Sequence, residues 1–344
     1  VKLERLDDIM AGYGRLKIAL VGDLCLDRYF EIDPGRAEKS IETGLEVHNV
    51  TRVRCQPGAS GTILNNLRAL GVGEIIPVAI MGDDAEGFEL RRALERIPGV
   101  NLSWIVQTPE RNTFSYSKPL VLESGRPPRE LNRLDIKNWT PTPETLQRRI
   151  VEAVEAVAPR VDAVIVLDQV DIAETGVATQ LVVGCVDEAA RRHPKLLVLA
   201  DSRRGLSGFN HLALKMNADE LGRALGEPSR AEAAWTLAGA AALARGRSRP
   251  VFVSMAERGI VAALGGESWT VPAMPLRGAI DIVGAGDSVA ANLAAALAAG
   301  AEPQEAMGLA MLGASIVIHQ LGTTGTATPA QIRELLPQSP YLED

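Results

Sequence analysis

The stretch Ile280-Asp281-Ile282-Val283-Gly284-Ala285-Gly286-Asp287-Ser288 runs straight into Val289-Ala290-Ala291-Asn292-Leu293-Ala294-Ala295-Ala296-Leu297. A polar, glycine-rich turn therefore opens a helix of small residues. The first amides of such a helix lack intrahelical acceptors and carry the positive end of its dipole, so they favour an anion. Asp287 places a carboxylate beside that anion, which is repulsive unless the carboxylate does chemistry. Taking a proton from an attacking hydroxyl is such chemistry. The stretch reads as a site for phosphoryl transfer from a nucleotide to an alcohol. Two plainer roles remain open for it: Asp287 as a helix cap and the glycines as a tight turn.

Around this stretch the chain alternates strands and helices. Leu16–Gly22 is an apolar run closed by glycine, with Asp23 and Asp27 just beyond its end, where open α/β sheets collect ligands. A helix is expected from Pro57-Gly58, with Ile63, Leu64, Leu67 and Leu70 on one face. Strand Ile75–Met81 and helix Ala85–Arg96 follow. Beyond Thr140-Pro141-Thr142-Pro143 come helix Glu144–Val157, strand Ala163–Leu167, helix Ala173–Arg192 and strand Lys195–Ala200. Strands Val251–Met255 and Ile260–Leu264 precede Asp281, and helices near 285–300 and 302–319 complete the pattern. This rhythm predicts a three-layer α/β/α core around a mostly parallel sheet. Two β-rich excursions, about 28–56 and 104–134, interrupt it and are expected to pair as a lid on a single domain spanning 1–344.

The 344 residues carry 36 Lys and Arg against 43 Asp and Glu, a net charge of −7 that argues against general nucleic-acid binding. No apolar run reaches membrane-spanning length. The three cysteines, Cys25, Cys55 and Cys185, match neither a disulfide framework nor CxxC metal spacing, so a cytoplasmic location is expected. The segment after the first strand, Gly22-Asp23-Leu24-Cys25-Leu26-Asp27, lacks the glycines of a dinucleotide-binding turn, which disfavours an oxidoreductase.

The 280–288 stretch resembles the C-terminal signature of the PfkB/ribokinase family of carbohydrate kinases. Val21-Gly22-Asp23-Leu24-Cys25-Leu26-Asp27-Arg28-Tyr29 resembles the opening of that family's heptose-phosphate kinase branch. Pro57 to Gly71 sits where the N-terminal glycine signature belongs, and Asn217-Ala218-Asp219-Glu220 is similar to the N-x-x-E motif. Asn132-Arg133-Leu134-Asp135, Leu199–Ser202, Ala314–Val317 and Leu321–Thr323 follow the branch in order and spacing. The resemblance covers about 16–335 and implies a ribokinase-like fold. It implies ATP and Mg²⁺, with a monovalent cation such as K⁺ used by many members. It casts Asp287 as catalytic base and Gly284, Ala285 and Gly286 as the anion hole. Asn217 and Glu220 match positions organising Mg²⁺, Asp281 lies near the monovalent-cation site, and Ser254, Gly259 and Gly322 fall on the nucleotide side. Asp27, with Asp23 in support and Gly58 and Thr62 beyond, falls on the acceptor side. Lys118 and Arg133, with Arg203, are candidates to meet a phosphorylated sugar through their positive charge.

The chain also departs from the pattern. Ala59 stands for the second of two glycines and disfavours positive φ. Thr62 stands for the sugar-binding asparagine and has one hydroxyl in place of a two-ended amide. Ala256 replaces another glycine in Ser254–Gly259. The expected activity is an ATP-dependent sugar or sugar-phosphate kinase with an altered acceptor site, the rival being a non-catalytic sugar- or nucleotide-binding regulator. If the chemistry is that of the heptose-phosphate branch, the nucleotidyl step is expected on another protein. A homodimer is expected through the lid strands, whose edges need covering.

Overall fold

A computed structural model describes residues 2–205, 210–230 and 232–341; the expected domain's ends, Val1 and Leu342–Asp344, lie outside the described residues. Among the described residues, nine strands form the main sheet. Their order is Glu267–Val271, Ile260–Leu264, Val251–Ser254, Ala213–Asn217, Leu197–Ser202, Ala163–Asp168, Lys17–Gly22, Glu74–Gly82 and Ile105–Thr108. Every pairing is parallel except the two made by Ile260–Leu264.

The central strands are apolar on both faces and sort their side chains by period two. Ile18 and Leu20 join one core with Ile165 and Leu167, whereas Ala19 and Val21 join the other with Val164 and Val166. Helices Leu3–Gly12, Ser60–Ala69, Ala85–Glu95, Ala285–Ala298, Pro303–Ile318 and Pro329–Leu335 fill the first core. Helices Glu144–Val157, Gln180–Arg192, Ala218–Leu225 and Ala233–Ala244 fill the second. Small residues let Ala285–Ala298 lie close to Pro303–Ile318: a Cβ on Gly313 would stand 2.5 Å from Asn292 Nδ2.

The second sheet has the order Leu134–Ile136, Phe114–Val121, Leu24–Ile32, Val50–Ala59, with Arg129–Glu130 added on Phe114–Val121. Leu24–Ile32 and Phe114–Val121 pair in parallel, so the two excursions do meet. Their limits differ from those read in the sequence. The first sheet-forming segment starts at Leu24, one residue beyond the core strand, and ends at Ala59, so the next helix begins at Ser60 and not at Pro57. In the second excursion, Ile105–Thr108 belongs to the main sheet as its edge strand, where it extends the parallel ladder of Glu74–Gly82.

Other corrections are local. Residues 173–179 form no helix; the helix starts at Gln180, where the Thr179 hydroxyl accepts from the Val182 amide as its cap. Strands Ala213–Asn217 and Glu267–Val271 and helix Ala233–Ala244 escaped the sequence reading. Among the described residues no helix is long and apolar enough to cross a membrane.

Candidate active site

The C-terminal ends of the parallel strands and the facing side of the second sheet enclose a cavity of about 290 Å³. Larger hollows of about 420 and 600 Å³ lie elsewhere, one at the opposite ends of the strands and one along helices Glu144–Val157 and Gln180–Arg192. Of the three, the 290 Å³ cavity is the one lined by the Gly284 turn and Asp287.

Helix Ala285–Ala298 points its N-terminus into this cavity, with Gly284 at φ +83° as its N-cap. Asp287 lies in the first turn, makes no capping bond among the described residues and lines the cavity, so the plain capping role does not describe it. Among the described residues it forms no ion pair. The surrounding protein desolvates it and pushes its carboxyl up to about 7. Lys215 and Arg203 oppose that rise, while Asp201 and Asp27 add to it. Of the three amides expected to form the anion hole, that of Ala285 donates to the Ile282 carbonyl at 3.2 Å. Those of Gly284 and Gly286 donate to no carbonyl among the described residues.

Lys215 is the cation of this corner, and the sequence reading passed over it. It lies in the middle of strand Ala213–Asn217 and pairs with buried Asp201 at 2.6 Å. Its ammonium comes within 3.2 Å of where a Gly286 Cβ would sit, so it faces the turn. Burial pulls this ammonium down, but Asp201, helped by Glu220 and Asp287, holds it above its ordinary value. Its position two residues before Asn217 was the available signal.

Asn217 and Glu220 form a capping box: the Glu220 amide donates to Asn217 Oδ1 at 2.9 Å and the Asn217 amide donates to Glu220 Oε2 at 2.7 Å. Burial and then Asp201 raise the Glu220 carboxyl, which marks a place where a cation would be welcome. Asp281 stands apart, accepting from the Val283 amide at 3.0 Å. Among the described residues no three His, Cys, Asp or Glu side chains are grouped to hold a metal by themselves. The Ser254 hydroxyl donates to the Met216 carbonyl at 3.3 Å. Gly259 has φ +98° and packs so closely on the backbone that its Cβ would meet the Val271 carbonyl at 2.1 Å. Gly322, at φ +71°, borders open space.

Of the residues expected on the acceptor side, Asp27, Thr62, Lys118, Arg133 and Arg203 line the same cavity as Asp287. Asp27 is buried and faces Lys118 across 3.5 Å. Burial raises its carboxyl, against Lys118 and Arg133. Gly58 is required by this packing, since a Cβ there would lie 2.8 Å from Asp27 Oδ2. Arg133 forks onto Asp135 at 2.7 and 2.8 Å and lies over the Tyr116 ring. Asp23 sits elsewhere: it is buried beneath the cavity and accepts from the Val177 and Gln169 amides. Tyr116, Lys137, Gln169 and Asp171 also line the cavity and were not read from the sequence, and so does Thr324, from the Gly322–Thr328 loop that the family resemblance casts as part of the adenine-side wall. Ala59 and Ala256 both adopt positive φ, +54° and +52°, in the positions where glycines were missed.

The model of the pfkB family carbohydrate kinases matches residues 17–331. The bifunctional protein HldE of a Bradyrhizobium strain is 30% identical over 337 residues, covering 97% of this chain and 66% of that protein. HldE of Gluconobacter oxydans is 29% identical over 343 residues, covering 97% and 67%. The chain thus spans about two thirds of the length of these curated relatives. Among solved structures, phosphofructokinase-2 of Escherichia coli in complex with potassium superposes with TM-score 0.71 at 16% identity, covering 94% of this chain and 98% of that one. Arabidopsis thaliana ribokinase complexed with ribose and ATP superposes with TM-score 0.66 at 19% identity, covering 93% and 98%. These likenesses show a ribokinase-like α/β fold.

Proposed function

The chain belongs to the pfkB family of carbohydrate kinases, and from that premise we propose that it transfers the γ-phosphoryl group of ATP to a hydroxyl of a sugar or sugar phosphate. The observation that carries the reading is Asp287. Its carboxyl, raised to about 7 and without an ion pair among the described residues, faces a cavity beside the amides of Gly284 and Gly286, which bond no carbonyl among those residues. A base with that affinity accepts a proton from the acceptor hydroxyl near neutral pH. The two amides and the Lys215 ammonium take up charge on the transferring group, whose loose transition state asks mainly for positioning and electrostatics.

Mg²⁺ would supply charge neutralisation at the nucleotide phosphates. Glu220 fits it, with Oε2 tied to the Asn217 amide and Oε1 outside any hydrogen bond among the described residues. Asp281 keeps Oδ2 beyond its bond to Val283 and suits K⁺. Ser254, Gly259 and Gly322 border the nucleotide side, and Asp27, Lys118, Arg133 and Arg203 the acceptor side.

The same reading takes 1–344 as one domain with the second sheet as lid, excluding water over the acceptor. Val50, Val53, Leu134 and Ile136 are exposed on that sheet, which supports a homodimer formed through it. A monomer in sedimentation at micromolar concentration counts against the dimer. The three free cysteines support a reducing, cytoplasmic setting.

A panel of sugars and sugar phosphates with ATP and Mg²⁺ tests the activity. One observation favours the regulator instead: Ala59 and Thr62 have replaced acceptor-side residues of the family pattern. Tight sugar binding with no turnover across the panel would support that rival.

A further inference from the structure

We infer that Gln169 is a specificity-determining residue of the acceptor cavity, its side-chain amide reading a pair of neighbouring hydroxyls, with Asp23, Arg111 and Thr142 as positioning residues for its loop. The inference rests on the cavity being the acceptor site. Two neighbouring hydroxyls, as in a vicinal diol, are well matched by an amide, which donates through its NH₂ and accepts through its carbonyl. Thr62 offers a single hydroxyl, and its methyl already approaches the Gly284 turn, 3.5 Å from where a Cβ would be. Gln169 lines the same cavity and is half-buried, and its side-chain amide makes no hydrogen bond among the described residues. The basic groups around it are engaged: Lys118 with Asp27, Arg133 with Asp135, and Lys137 and Arg203 with Asp171.

An unpaired amide discriminates only if its backbone is held. The 169–177 loop is held by three buried side chains from three other segments. Asp23, at the junction of core strand and second sheet, accepts from the Val177 amide at 2.7 Å and the Gln169 amide at 3.3 Å, tying the two ends of the loop to one carboxylate. The loop presses on this carboxylate so closely that a Cβ on Gly176 would be 2.6 Å from Asp23 Oδ1. Arg111 donates to the Thr175 carbonyl at 2.6 Å and to the Thr140 carbonyl at 2.9 Å. The Thr142 hydroxyl donates to the Gly176 carbonyl at 2.7 Å and its amide to the Glu174 carbonyl at 2.7 Å. Glu174 sits at φ +64°, a conformation that only such fixing sustains.

The test is calorimetric titration of D-ribose, D-fructose 6-phosphate and a wider panel of pentoses, hexoses and their phosphates, without nucleotide. It compares wild type with Gln169→Leu, Gln169→Glu and Asp23→Asn. Gln169→Leu is expected to weaken the best sugar by about tenfold or more while melting temperature and Mg·ATP affinity stay put. Gln169→Glu keeps an acceptor, loses the donor and falls between. Asp23→Asn turns an NH₂ toward a backbone N–H, so sugar affinity drops and amide exchange across 169–177 rises, with kcat at saturating sugar changing less than KM. Wild-type sugar affinity in Gln169→Leu overturns the inference, and so does a wild-type protein that binds no sugar of the panel. Sugar binding that follows these variants without any turnover leaves the inference standing and overturns the kinase reading alone.

Discussion

Replacing Asp287 by Asn should make this protein more stable as it makes it inactive, and the gain should depend on pH. In the folded chain burial raises the Asp287 carboxyl from 3.8 to about 7. The folded state therefore binds this proton more tightly than the unfolded state does. Stability from this group is complete below about pH 4 and is lost as pH rises through about 7. A shift of roughly 3 pK units corresponds to about 4 kcal/mol. Asp287 is partly open to the cavity, and halving for solvent screening leaves roughly 2 kcal/mol at pH 8 and less than half of that at pH 5. Asn has the same shape and no charge to bury, so Asp287→Asn should exceed wild type by those amounts. Urea unfolding at pH 5 and pH 8 measures the difference, and kcat measured alongside should fall by about 10²–10⁴-fold. A stability difference that is equal at the two pH values refutes the assigned burial. Near-normal kcat refutes the assigned base.

Four further outcomes follow from the same geometry. In wild type kcat/KM should climb about tenfold from pH 6 to pH 8 as Asp287 deprotonates, and a flat profile contradicts this. Lys215→Met leaves Asp201 buried without its 2.6 Å partner, so it should cost about 3 kcal/mol or more in chemical denaturation and move the rate profile to higher pH. Gly284→Ala meets both φ +83° and a Thr324 methyl 2.6 Å from the new Cβ; a loss of about 1–3 kcal/mol is expected, with turnover falling as the turn deforms. Ala59→Gly and Ala256→Gly relieve φ +54° and +52°, so each should raise stability by up to about 1 kcal/mol in thermal unfolding, the greater backbone freedom of glycine in the unfolded chain offsetting part of the gain.

The core was legible because its strands are apolar runs buried on both faces, as in Lys17–Gly22, closed by glycine, and Ala163–Asp168, closed by aspartate. The glycine turn that opens helix Ala285–Ala298 was legible for a different reason: Gly284, Gly286 and Asp287 are sequence neighbours, and local structure survives in a string. Strand Ala213–Asn217 was missed because it is short and has Lys215 at its centre, which reads as a surface residue until Asp201 on the adjacent strand is seen beside it. Ile105–Thr108 was assigned to the wrong sheet because alternation reports a strand and not its partner. Gln169 reaches the cavity from a loop, and no periodicity marks a loop residue that faces inward. Asp23 was placed among the acceptor ligands by its position after the first strand, whereas its carboxylate turns beneath the floor to two backbone amides. Direction at a strand end is a tertiary property.

The joint between the two sheets has a mechanical consequence. A single residue, Asp23, separates core strand Lys17–Gly22 from Leu24–Ile32, and none separates Val50–Ala59 from helix Ser60–Ala69. Two of the chain's passages between the layers are thus nearly rigid struts. The upper sheet cannot swing as a flap on slack tethers. It can only rock through small angles about that fixed axle, so admission to the cleft is set by flexing of the strands themselves, and stiffening either strut should slow both entry and exit.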